Sequence, residues 1–134
     1  MTSTLQKRLR FDRAETTRQD GEQCLVEVTF TFADRALKAS AAEACEGIGP
    51  LKAAAIATLE AMEQAVDGRF RCKLADLDHV SALGKNLIAV LVDIDFEGKQ
   101  VQVFGSCQLS GNEIDAAVKA ALNATNRFFD LAQK

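Results

Sequence analysis

The sequence predicts an α+β fold made of two pseudo-symmetric βββα units, antiparallel sheets packed with helices. Three observations lead there. Residues 24–32, CLVEVTFTF, and 87–96, LIAVLVDIDF, alternate apolar and polar side chains, the pattern of a strand with one buried face. Each is followed by a short turn, a second strand and a helix. The two halves also align. VEVTFTFADR (26–35) lies on VLVDIDFEGK (90–99), so Phe32 matches Phe96, Gly47 matches Gly111 and Ala53-Ala54 match Ala116-Ala117. With 134 residues the chain is one domain, 1–134, of repeat units at about 5–67 and 69–132.

The elements follow in order. LQKRLRFDR (5–13) is a candidate opening strand. CLVEVTFTF puts Cys24, Val26, Val28, Phe30 and Phe32 on one face and Glu27, Thr29 and Thr31 on the other. ADR turns the chain, and ALKASAAEA (36–44) returns as a strand of small residues. Gly47-Ile48-Gly49-Pro50 breaks that strand. Proline suits the first helical position, where its missing N–H costs nothing, so a helix runs from about Leu51 to Val66 and stops at Asp67-Gly68.

FRCKLADL (70–77) then reads as a strand and DHVSALGKN (78–86) as a loop. The next strand turns Ile88, Val90, Val92, Ile94 and Phe96 inward, and Glu97-Gly98 makes a hairpin turn. KQVQVFGSCQL (99–109) carries Val101, Val103, Gly105, Cys107 and Leu109 on one face. Ser110 and Glu113 have the spacing of a capping box. The last helix, from about Asn112 to Ala132, carries Ile114, Ala117, Val118, Ala121, Leu122, Thr125, Phe128 and Phe129 in one stripe.

Composition excludes several classes of function. A net charge of −3 and a pI near 5.2 leave no footprint for nucleic acid or an anionic membrane. The cations Lys7, Arg8, Arg10 and Arg13 are offset by Asp12, Glu15, Asp20 and Glu22 and read as a solvated strand face. No apolar run reaches the roughly 18 residues of a membrane span, and the amino end lacks the apolar stretch of a signal peptide. A cytoplasmic protein is expected. Tyr and Trp are absent.

Cys24, Cys45, Cys72 and Cys107 lack metal-ligand spacing. In a reducing compartment they read as small core residues without disulfides. His79 reads as a loop or surface residue. Asp93 and Asp95 share a strand face and look solvated. No catalytic constellation is visible, so neither catalysis nor a cofactor nor a metal is expected.

The strand-to-helix junctions are the candidate site. A helix amino end offers free N–H groups and the positive end of a dipole, a setting for a carboxylate. The candidate ligand-binding residues are Gly47, Ile48, Gly49, Pro50 and Ala53 at the first junction, and Ser110, Gly111, Asn112 and Ile114 at the second. Leu51, Ala54 and Ala55 are candidates for an apolar pocket wall. The bland alternative is a turn that needs glycine and nothing more.

ACEGIGPLKAA (44–54) and GSCQLSGNEIDAAVKAALNATNRF (105–128) resemble the C-terminal regulatory domain of the alpha-isopropylmalate synthase and citramalate synthase family. The resemblance covers about residues 5–130. It implies two βββα units, a homodimer, and feedback binding of an end-product amino acid, leucine or isoleucine, near the dimer interface. On it, Gly47, Gly49 and Pro50 correspond to the family's G-x-G-P turn and Ala53 to the helix alanine that follows. Ser110, Gly111, Asn112 and Ile114 correspond to the second turn and helix start. The turn LSGNEID is poorer in glycine than the family's, and no tyrosine is present. A (β/α)8 barrel takes about 200 residues or more, so the expected partner is a separately encoded synthase catalytic subunit. The alternative expectation is a ligand-free dimerisation or interaction module.

Overall fold

The computed structural model describes residues 8–133. Among them the elements are β1 (Arg10–Arg18), β2 (Gln23–Phe32), β3 (Arg35–Ala44), α1 (Gly49–Ala65), β4 (Phe70–Ala82), β5 (Lys85–Phe96), β6 (Lys99–Gln108) and α2 (Glu113–Ala132). β1, β2 and β3 form one antiparallel sheet in sequence order, and β4, β5 and β6 form another. The chain is therefore an α+β fold of two βββα units, as the alternation and the repeat predict.

Three hairpins close through two-residue turns, Ala33-Asp34, Leu83-Gly84 and Glu97-Gly98. Both central residues of each have positive φ, between 52° and 77°. This is the type I′ geometry, whose twist matches that of paired strands. It explains one correction. The expected loop over 78–86 is instead the end of β4, a turn at Leu83-Gly84 and the start of β5, paired from Leu77↔Val90 to Ala82↔Lys85. Asp78 and Ser81 are poor strand formers, but cross-strand pairing outweighs intrinsic preference.

The opening strand also lies later than expected, at Arg10–Arg18 instead of 5–13; residues 5–7 fall outside the described residues. β1 and β4 each carry a bulge, between Phe11 and Arg13 and between Leu74 and Asp76. The bulge in β4 lets Leu74 and Leu77, three apart, both face the core opposite Val92 and Val90.

The core is lined by Val26, Val28 and Phe30 of β2 and Ile88, Val90, Val92 and Ile94 of β5, all buried. α1 packs on β2, β3, β4 and α2. Leu51, Ala53, Ala54, Ala55, Ala57, Thr58, Leu59, Ala61 and Met62 are buried in it, while Glu60 and Gln64 are exposed. A helix enclosed on nearly every side has room only for small side chains, which accounts for its alanines. α2 is one-sided, with Lys119, Asn123 and Arg127 in solvent. Phe129 joins the units, its ring 5.5 Å from Phe32 and 6.5 Å from Phe70. No helix among the described residues is long and apolar enough to cross a membrane.

The cysteines need a second correction. Cys24 and Cys45 are joined in a disulfide, with Cα atoms 5.0 Å apart. The β2–β3 hairpin brings them together: Cys24 pairs with Glu43, and the Cys45 N–H donates to the Glu22 carbonyl at 2.7 Å. A separation of 21 positions hid the pair in the sequence. Cys72 and Cys107 are free, half-buried and packed against the core from its edge.

Candidate functional site

At the first junction the chain leaves β3 at Ala44 and reverses through residues 45–48. Gly47 is exposed with φ +58°, a conformation costly for any side chain, and the space around its missing Cβ is open. Gly49 is different. It is buried, its N–H donates to the Glu46 carbonyl at 3.0 Å, and a Cβ there would collide with the Ala44 carbonyl. The bare side of Gly49 is thus filled by the chain's own backbone.

Ile48 is the residue before the helix, and no side chain caps the end. Pro50, expected at the first helical position, is the second and brings no N–H. No acidic residue lies in the first turn. The positive end of α1 therefore meets no side-chain cap and no acidic residue, only the Glu46 carbonyl that takes the Gly49 N–H.

The second junction is answered. The Asn112 side-chain oxygen accepts from the N–H groups of Ile114 (2.8 Å) and Asp115 (3.3 Å). Glu113 and Asp115 add negative charge to the first turn. This corrects the expected Ser110–Glu113 capping box. Asn112 stands next to the helix and is as good a cap as serine. Glu113 turns instead to His79 of β4, with 3.4 Å between Oε1 and Nε2. His79 is a surface residue, on a strand and not in a loop.

Ser110 and Asn112 share a hollow of about 60 Å³ with Cys107, Gln108, Asp115, Ala116 and Lys119. Ser110, Gly111 and Asn112 are exposed; Ile48, Pro50 and Ile114 are half-buried. Ala53, Ala54 and Ala55 are wholly buried and Leu51 nearly so, which places these candidate wall residues inside the core.

A larger hollow lies elsewhere. A trough of about 640 Å³ crosses the outer face of the second sheet. Its floor has two cross-strand rows, Arg71, Asp95 and Gln100, and Lys73, Asp93 and Gln102. Gln102 donates to Asp93 at 2.8 Å. The sequence singled out Asp93 and Asp95 only as a solvated pair. The alternation of FRCK is the signal that places Arg71 and Lys73 opposite them.

A groove of about 320 Å³ adjoins the trough. It lies between Ile56, Leu59, Glu60 and Glu63 of α1 and Cys72, Lys73 and Leu74 of β4. There the Glu63 carboxylate accepts from the Cys72 N–H at 3.3 Å. Burial, together with the Glu63 charge and its hydrogen bond, pushes the Cys72 thiol up to about 12. Cys72 is therefore held as a thiol at neutral pH and is a poor nucleophile. Among the described residues, no cluster of three or more His, Cys, Asp or Glu is placed to hold a metal ion.

No protein-family model matches the chain, and a search of curated proteins gives no match either.

Proposed function

We propose that the chain is a non-catalytic regulatory module that binds a branched-chain amino acid, leucine or isoleucine, as a feedback effector. In this reading it pairs as a homodimer and regulates a synthase of the alpha-isopropylmalate or citramalate type. The observation that carries the reading is the uncapped amino end of α1, beside exposed Gly47, in a duplicated βββα fold. Such an end attracts a carboxylate.

The hollow of about 60 Å³ at the second junction is well below the ~150 Å³ that holds a benzene-sized guest. On this reading the effector's aliphatic part is received at the homodimer interface, where a second copy would cover the junction. The cytoplasm is the location that goes with this role, and there the Cys24–Cys45 bond would be transient.

Calorimetric titration of the full chain with leucine, isoleucine and valine tests the proposal. Binding heat is expected for at least one, and the Ile48→Asp variant is expected to abolish it. That variant sets its own carboxylate at the same helix end; because Ile48 packs against the core, its unfolding in denaturant is measured alongside, so that lost binding is read on folded protein. No heat with any of the three at millimolar concentration overturns the proposal.

A second reading, a dimerisation or interaction module without a ligand, has an observation of its own. Gly49 is explained by its contact with the Ala44 carbonyl alone. A dimer in sedimentation that is indifferent to all three amino acids is its expected result.

A further inference from the structure

We infer that the Cys24–Cys45 disulfide is a reversible staple on the β3–α1 turn, dispensable for the fold and opened by a dithiol reductant. This goes beyond the proposed effector binding and does not depend on it. The bond ties the start of β2 to the residue that follows β3. The next residues, Glu46, Gly47 and Ile48, lead directly into α1.

The second unit supplies an internal control. There the Leu109 N–H donates to the Asn86 carbonyl at 2.8 Å, just as Cys45 donates to Glu22 at 2.7 Å in the first. On the repeat that aligns Phe32 with Phe96, Cys24 corresponds to Ile88 and Cys45 to Leu109. Ile88 is wholly buried and Leu109 packs against the core. The same backbone corner therefore closes with two apolar side chains and no covalent bond. Thiols behave as small apolar groups when buried, so the reduced pair fits a corner of this design. What the disulfide adds is a fixed tether at the amino end of α1.

The two sulfurs are unequally placed. Cys24 is 7% exposed, whereas Cys45 is half-buried. A dithiol's thiolate attacks the Cys45 sulfur, forming a mixed disulfide, and Cys24 leaves as a thiolate that takes up a proton. The second thiol of the reductant then attacks its own mixed-disulfide sulfur. It releases Cys45 as a thiol and the reductant as a cyclic disulfide, so two electrons and two protons pass to the protein. The free cysteines, Cys72 on β4 and Cys107 on β6, belong to the other unit.

The test compares the full chain before and after treatment with excess dithiothreitol. Alkylation in denaturant followed by mass measurement is expected to rise from two blocked thiols to four. The far-ultraviolet circular dichroism should stay unchanged and Tm should fall by roughly 5–15 °C. Amide exchange over residues 45–49 should quicken on the order of tenfold or more. A Cys24→Ile, Cys45→Leu variant, copied from the second unit, should fold and show no response to the reductant. Four reactive thiols before reduction, loss of the fold on reduction, or equal exchange in the two states would each overturn the inference.

Discussion

The Thr125 hydroxyl of α2 lies 2.8 Å from the Met62 sulfur of α1, and the two residues occupy one position of the repeat, 63 residues apart. Two copies of a repeat position can touch only beside the axis that relates them, so this pair marks the pseudo-twofold at the centre of the core. Thr125 also donates to the Ala121 carbonyl at 2.8 Å, which satisfies its hydroxyl within its own helix.

Both side chains are fully buried, so the axis tolerates little change in volume. Met62→Ala is expected to lower unfolding free energy by about 2–5 kcal/mol. Thr125→Met, which makes the pair symmetric, should overpack it at a cost of about 1–3 kcal/mol. In urea unfolding, a double-mutant cycle of Met62→Ala with Thr125→Met should show coupling of about 0.5 kcal/mol or more, the cavity taking up the added bulk. Strict additivity would mean that the two do not share a site.

The glycines of the first turn should separate cleanly. Gly49→Ala drives a methyl group into the Ala44 carbonyl and is expected to cost about 3 kcal/mol or more, read by denaturant unfolding or by loss of soluble protein. Gly47→Ala meets open space and bears only the positive-φ penalty, about 1 kcal/mol. Equal costs would contradict the packing described.

β4 is an edge strand, yet three of its N–H groups are occupied by carboxylates. Glu63 takes the Cys72 N–H at 3.3 Å, Asp76 that of Leu77 at 2.8 Å, and Asp78 that of His79 at 2.8 Å. Free edge groups invite pairing with another chain. The Asp76→Ala, Asp78→Ala variant is expected to self-associate with rising concentration in light scattering after size exclusion. An unchanged size would show that the carboxylates do not guard the edge.

The Cys72 thiol, raised from the ordinary 9.0 to about 12, gives a pH prediction. Folding favours the protonated form, so its contribution to stability is complete below pH 9. It is lost as pH climbs toward 12, because the unfolded chain ionises first. Alkylation of Cys72 at pH 8 should be about a thousandfold slower than for an ordinary thiol, and Glu63→Gln should speed it. Rapid labelling of the folded protein would refute the assignment.

The repeat and the strand faces were legible because alternation of Val26, Val28 and Phe30 against Glu27 and Thr31 is a local signal. So were the hairpin turn at Glu97-Gly98 and the alanines of α1. The missing parts depend on partners distant in sequence. β4 extends through Asp78, His79 and Ser81 because β5 pairs with it, and Asn112 displaces Ser110 as cap because of where the helix begins. Cys24 finds Cys45 only once a hairpin folds. At the candidate site, the spacing of Gly47 and Gly49 was visible. That one faces solvent and the other faces Ala44 was not, since that difference is one of packing.

The crossing of helices over sheets has a consequence for any attempt to divide the molecule. α1 lies against β4, and α2 reaches β1, with Arg8 and Asp130 bridged at 3.2 Å and Phe129 set against Phe32. A polypeptide severed between Ala65 and Phe70 would yield two fragments, each with an opening strand stripped of the cover its sibling provides. Neither would be self-sufficient, and mixing them should restore the whole, as in a split reporter whose halves are silent until they meet.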